Sequence, residues 1–195
     1  MEFKNSETKK NLIKAFAGES QARNRYTFAA EAAKKEGLAI IEKLFYYTAD
    51  QEKAHAKVFY DKLKEFNGEN IEIDASYPIG NYEKTLDLLR DAEHNEQEEY
   101  DVVYKSFAQT AAEEGFGAVA KIFENIAAIE NVHSKRFKKY ADKLENDSLF
   151  KETQDTLWMC SNCGFIFEGK EAPKACPVCS HPQGYFMLFS TSEFE

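Results

Sequence analysis

No cysteine occurs before Cys160, and all four fall in the last 36 residues. That distribution excludes a disulfide framework for most of the chain and leads us to expect a reducing, cytoplasmic setting. Proline is almost missing between residues 6 and 147, where Pro78 stands alone, so little interrupts long helices there. Positive charge is scarce: 25 Lys and Arg face 34 Asp and Glu, a net charge of −9. Phosphate binding needs a basic surface, so nucleic acid is not an expected partner. No apolar run approaches the roughly 18 residues of a membrane span, and no membrane partner is expected. The opening "MEFKNSETKK" has no apolar core or small-residue cleavage site, so no secretory signal is expected. What is present is a 195-residue chain with 43% hydrophobic and 14% aromatic residues, enough for one fair-sized core and a small satellite.

Residues 6–147 are rich in Ala, Glu and Lys and read as four helices, over about 6–35, 38–65, 81–113 and 116–146. At 1.5 Å per residue each is about 45 Å long. Turns near Gly37 and Gly115 make the members of each pair antiparallel neighbours. The stretch "NGENIEIDASYPIG", residues 67–80, breaks helix and suits a crossover along a bundle. The expected division is a bundle over 1–147, a linker over 148–156 and a small β-prone module over 157–195. A repeat supports two related hairpins. Residues 36–59 lie over 114–137 at a constant offset of 78, with nine of 24 positions identical, among them Glu36/Glu114, Phe45/Phe123, Glu52/Glu130, His55/His133 and Phe59/Phe137.

The repeat places polar residues where apolar ones belong. In the fourth helix the seam runs Phe116, Val119, Phe123, Ile126, Glu130, His133, Phe137, Tyr140; in the second it runs Leu38, Ile41, Phe45, Thr48, Glu52, His55, Phe59. Spacings of three and four keep each set on one face. Both Glu-x-x-His pairs therefore point inward, where an unpaired carboxylate is costly. A surface Glu and a His satisfied by a backbone carbonyl account well for one such pair, but not for two equivalent pairs on the apolar seam of a repeat. A cation answers both, and carboxylate with imidazole suits iron, manganese or zinc. Glu-x-x-His on two helices with a Glu on each of the others is the di-iron carboxylate pattern. It requires an inward Glu on helix one, for which Glu19 is the mid-helix choice; Glu7, Glu31 and Glu36 lie too near the ends. On helix three "AEHNEQEEY" offers Glu93, Glu96, Glu98 and Glu99. The repeat carries Glu19 to Gln97, one residue from Glu96, and apolar periodicity slightly prefers Glu93 with Glu96. Glu96 is the expected ligand and its companion stays open.

The segment "CSNCGFIFEGKEAPKACPVC" sets Cys160, Cys163, Cys176 and Cys179 as two C-x-x-C knuckles 12 residues apart. Four thiolates at that spacing make a closed tetrahedral site for iron or zinc. Spacing does not name the metal, and a structural zinc ribbon shares it. Trp158, Phe165, Phe167, Tyr185 and Phe186 read as a small core around it.

Taken together, "AFAGESQARNRYTF", the two Glu-x-x-His pairs, "AEEGF", "IENVHSKRF" and the C-terminal cysteine segment resemble a rubrerythrin over nearly the whole chain. The resemblance implies an all-α, ferritin-like four-helix bundle joined to a rubredoxin-like domain. It implies an NADH- or rubredoxin-linked peroxidase that reduces hydrogen peroxide to water in oxidative-stress protection. Its cofactors would be two irons in the bundle and one in the four-cysteine site, where zinc can substitute. Matching back from "YKSFA" lands the helix-three pair on Glu96 and Glu99, against the periodicity preference for Glu93. By the same resemblance Glu52 and Glu130 bridge, Glu19 is terminal on one iron, Glu96 and His133 bind the other, and His55 and Glu99 exchange as ligands with oxidation state. Ferric iron favours the added carboxylate and ferrous iron accepts imidazole. Glu99 freed from iron is a candidate proton shuttle, and Tyr26 and Tyr104 are candidates for orienting carboxylates. Asn95 and Ser180 stand where the family often has glycine, with consequences expected for helix packing and for the thiolate-bound iron. The expected electron donor is a rubredoxin or a flavin-dependent NAD(P)H reductase, and the expected assembly is a head-to-tail homodimer or larger homo-oligomer. An iron-storing ferritin relative and a zinc-stabilised interaction protein are the competing readings.

Overall fold

The structure is a computed structural model describing residues 2–191. Helix α1 spans Glu7–Lys35 and α2 spans Ala39–Lys62; they form an antiparallel pair joined at Gly37, whose φ of +74° suits a residue without Cβ. The second pair begins with α3, Thr85–Glu98, passes through a π-helical segment, Glu99–Val103, and continues as α4, Tyr104–Glu113. It turns at Gly115, φ +89°, into α5, Gly117–Glu145. The four expected helices are therefore present, with the third interrupted by wider winding. The crossover between the pairs runs along α1, where the Tyr77 hydroxyl donates to the Lys14 carbonyl at 2.9 Å.

The helix starts are tied across the two hairpins. The Glu114 carboxylate accepts from the backbone N–H groups of Glu7 (2.9 Å) and Thr8 (2.8 Å), capping α1. Glu36, its equivalent in the other hairpin, accepts from the Thr85 N–H at 2.7 Å, capping α3. Each hairpin's turn thus supplies an anion to the positive end of the other hairpin's first helix.

Two aromatic layers fill the bundle. Tyr26, Phe45 and Phe137 belong to one core cluster; Phe59, Tyr104 and Phe123 belong to the other. All six are 2% exposed or less. Phe45 and Phe137 pack with ring centroids 5.4 Å apart, and Phe59 and Phe123 at 5.2 Å.

The C-terminal module is a three-stranded antiparallel sheet in the order β2-β1-β3, with β1 at Lys151–Cys160, β2 at Ile166–Glu171 and β3 at Phe186–Leu188. Strand β1 begins at Lys151, inside the stretch expected as linker, because Thr156–Met159 pair with Gly169–Ile166 and extend back to Lys151↔Glu171 across an irregularity. Trp158 is fully buried and donates its indole N–H to the Gly169 carbonyl at 2.9 Å. The module rests on its own bundle: Leu149 joins the core cluster of α1, α2, α3 and α5, Phe150 and Met187 pack against it, and Lys43 Nζ donates to the Ser161 carbonyl at 2.9 Å. Among the described residues no helix is long and apolar enough to cross a membrane.

Candidate metal centre

Midway along the bundle the Glu-x-x-His pairs meet. Donor atoms of Glu19, Glu52, His55 and Glu130 lie within 4.8 Å of one another, as do those of Glu52, Glu96, Glu130 and His133. The two sets share Glu52 and Glu130 and so describe two adjoining ion positions with common carboxylates. His55 Nδ1 lies 3.1 Å from Glu130, 3.2 Å from Glu52 and 3.5 Å from Glu19. His133 Nδ1 lies 2.9 Å from both Glu52 and Glu130 and 3.5 Å from Glu96. One imidazole N–H satisfies one acceptor, not three. Neighbouring ligands around a six-coordinate ion with bonds of about 2.1 Å stand about 3.0 Å apart, which is the spacing seen.

The donors fit a cation on a second ground. Glu19 Oε2, Glu52 Oε1, Glu96 Oε2, both oxygens of Glu130 and His133 Nδ1 are buried without a hydrogen-bond partner. Four carboxylates in one dry interior are not stable as free anions. Burial pushes Glu19 up to about 8, with the Glu52 charge adding to it. Burial, then the charge of Glu19, raises Glu130 well above the carboxylate range. On Glu52, burial is outweighed by the neighbouring His133 and His55 imidazoles, which hold it down to about 2. Burial works to lower His133, but Glu130, Glu52 and Glu96 outweigh it and hold the imidazole up to about 11. The charge that this frustrated set lacks is positive and central.

Two tyrosines close the layer. Tyr26 donates to Glu96 and Tyr104 to Glu19. These contacts also cross between hairpins and explain the slipped register of helix three. Ahead of the π-helical segment the repeat runs at an offset of 77, matching Thr8/Thr85, Leu12/Leu89, Ala15/Ala92 and Glu19/Glu96; beyond it the offset is 78, matching Tyr26/Tyr104 and Ala30/Ala108. The wider turn absorbs one extra residue, so Glu96 and Tyr104 keep the relation of Glu19 and Tyr26. That change of offset is the signal in the sequence that marks the π segment.

Of the helix-three candidates, Glu96 enters a donor set, whereas Glu93 pairs with Arg90 at 2.8 Å. Glu98 is exposed. Glu99, the first π-helical residue, lies outside both sets in this arrangement. It is half-buried, and burial with the charges of Glu19, Glu96 and Glu52 pushes its carboxyl well above the usual range. It lines a cavity with Gly18, Tyr77, Asn95 and Tyr104. Asn95 donates to Asp91 at 3.1 Å, a contact that a glycine would lack. Sequence reasoning missed Gln51 and Arg136: His133 Nε2 lies 3.0 Å from Gln51 Oε1, which also accepts from Arg136 at 2.8 Å.

In the module, the Cys160, Cys163, Cys176 and Cys179 sulfurs form a third donor set. Cys160 and Cys179 are 3.7 Å apart and Cys163 and Cys176 3.6 Å. These distances are too long for a disulfide and close to the edge, about 3.8 Å, of a tetrahedron with 2.3 Å metal–sulfur bonds. The knuckles match: Gly164 donates to the Cys160 carbonyl and Ser180 to the Cys176 carbonyl, both at 2.8 Å. The His181 backbone N–H facing Cys179 leads the effects that lower that thiol to about 6.

The family model for rubrerythrin matches residues 10–141 and 87–156, and that for the rubrerythrin rubredoxin-like domain matches residues 158–187. The rubrerythrin of Clostridium perfringens is 48% identical over 188 residues, covering 96% of each chain. That of Porphyromonas gingivalis is 47% identical over 190 residues, covering 97% of this chain and 94% of its own. A solved structure of nigerythrin in a mixed-valence state aligns with a TM-score of 0.62 at 27% identity, over 93% of this chain and 86% of that one. The clusters are accordingly a di-iron carboxylate–imidazole site and a four-cysteine iron site, and the chain belongs to the rubrerythrin family.

Proposed function

We propose that the chain is a peroxidase reducing hydrogen peroxide to two waters, with electrons entering through the four-cysteine iron. The observation that carries this is the doubled donor set, in which two ion positions share Glu52 and Glu130 beside a separate thiolate site. In this reading Glu52 and Glu130 would be shared by the two ions, Glu19 and His55 would complete one position, and Glu96 and His133 the other. The four cysteines would hold the third iron. When bound, the ferrous pair supplies the two electrons that break the O–O bond.

The chain's residues supply position, dryness and protons. Tyr26 and Tyr104 fix the rotamers of Glu96 and Glu19 by donating to them. The aromatic layers exclude water on both sides of the site. Glu99, free of both donor sets and open to the cavity beside Gly18 and Tyr77, is the proposed proton donor to the leaving oxygen and the alternative ligand to His55. Two protons and two electrons balance one peroxide to two waters. A rubredoxin or flavin-dependent NAD(P)H reductase is the proposed donor. We place the working form in a reducing compartment because all four thiols are free of disulfides.

The test is anaerobic reduction of the iron-loaded chain followed by one equivalent of peroxide, with both iron chromophores monitored. Prompt reoxidation without a burst of hydroxyl radical is expected, and Glu99→Gln should slow it about 100-fold or more. A ferrous bundle that ignores peroxide, or zinc in the thiolate site above a metal-free bundle, defeats the proposal.

A further inference from the structure

The donor layer is nearly symmetric, but its surroundings are not. His133 presents Nδ1 to the carboxylates and Nε2 to Gln51 Oε1 at 3.0 Å. The same oxygen accepts from Arg136 Nη1 at 2.8 Å, and that nitrogen also reaches Thr48 Oγ1 at 3.1 Å. The guanidinium lies over the Tyr47 ring, 5.1 Å from its centroid. Arginine has no acceptor, so the Gln51 atom facing it must be the amide oxygen. An oxygen cannot donate, so the His133 Nε2 facing it must carry the proton. The Nδ1 lone pair is then free for a cation. One arginine thereby settles, through one amide, which imidazole nitrogen binds metal.

The repeat offers His55 nothing of the kind. At the offset of 78, Gln51 corresponds to Ile129, Thr48 to Ile126 and Arg136 to Val58. None of these side chains donates or accepts. Among the described residues, the hydrogen bond and ion pairs made by the His55 ring all use Nδ1.

We propose that Gln51 and Arg136 are positioning residues that lock His133 as a permanent ligand, and that Ile129 and Val58, standing in their places, leave His55 free to disengage. The two ion positions then differ in the hydrogen-bond partners of their imidazoles more than in ligand type. This rests on the reading of the cluster as a metal site.

The experiment uses the full chain loaded with Zn(II), which is diamagnetic and takes the same donors. Long-range proton–nitrogen correlation reads each histidine's metal-bound nitrogen and tautomer, and water-exchange measurements read the Nε2–H. In the unaltered chain His133 should be Nδ1-bound with a slowly exchanging Nε2–H, and His55 should exchange at least tenfold faster. Gln51→Ile and Arg136→Met should accelerate the His133 exchange at least tenfold and speed Zn(II) loss to a chelator 10–100-fold; Arg136→Lys should recover part of the effect. The transplant Val58→Arg/Ile129→Gln should slow exchange at His55. If His133 binds zinc while its exchange stays within twofold in both loss variants, or the transplant leaves His55 unchanged, the inference is overturned although the metal site stands. If no bundle histidine coordinates zinc, the metal-site reading fails and this inference with it.

Discussion

Ser180 holds φ +60°, a left-handed conformation that costs a residue with Cβ, while the matching position of the first knuckle is Gly164 at φ +78°. Both N–H groups close the same turn onto the first cysteine's carbonyl, so the geometry is imposed by the knuckle. Ser180→Gly should therefore stabilise the metal-loaded module by up to about 1 kcal/mol, the relief of strain exceeding glycine's larger unfolded-state entropy. Guanidinium unfolding followed at Trp158 checks it; a loss of stability would contradict the argument. The cysteines, Glu52 and Glu130 are visible in the sequence because short spacings or an internal repeat point to them, Glu19 because the pattern requires a mid-helix carboxylate there, and Ser180 as a departure from the family that the chain resembles. Gln51 and Arg136 are not. They act through contacts 82 and 85 residues apart in the chain, and one sequence carries no mark of which polar side chain will lie behind a buried imidazole.

At the scale of elements, the reciprocal caps make each helix start depend on the other hairpin. Replacing Glu114 with Ala removes the acceptor for the Glu7 and Thr8 N–H groups and should cost about 1 kcal/mol. Glu36→Ala, which uncaps Thr85, should cost a similar amount. The Glu114 effect should also depend on pH. Burial opposes ionisation of Glu114, but the Thr8 hydroxyl and the two N–H groups outweigh it and hold its carboxyl below 4.5. A carboxyl lowered on folding stabilises fully above its unfolded value and loses that contribution as pH falls through the lower folded value. The gap between Glu114→Ala and the unaltered chain should thus be full near neutrality and shrink below about pH 4.5; a gap constant down to pH 3 would refute the assignment. The helices themselves were readable from periodicity and from Gly37 and Gly115. The π segment was not read, because hydrophobic spacing resolves faces and not winding. Its trace was the one-residue slip between Glu19 and Glu96.

At the scale of the whole molecule, the thiolate module is seated against its own bundle. Gly184 packs directly on the turn between α1 and α2: a Cβ there would lie 1.8 Å from the Gly37 carbonyl oxygen, a backbone atom without freedom to yield. Gly184→Ala should therefore lift the module off its seat, breaking the Lys43–Ser161 contact, while both metal sites keep their own ligands. Small-angle scattering should show a larger radius of gyration with unchanged iron content, and an unchanged radius would show that the seat is not as tight as drawn. We further propose a head-to-tail dimer, in which the seated module of one chain faces the di-iron site of the other. A module held rigidly on its bundle can be presented to a partner at fixed distance, so the substitution should slow turnover with an external reductant by several-fold or more. Dilution of the unaltered chain until dimers separate should produce the same loss without loss of iron. If dilution leaves turnover intact while Gly184→Ala lowers it, electrons pass within one chain and the head-to-tail arrangement is wrong.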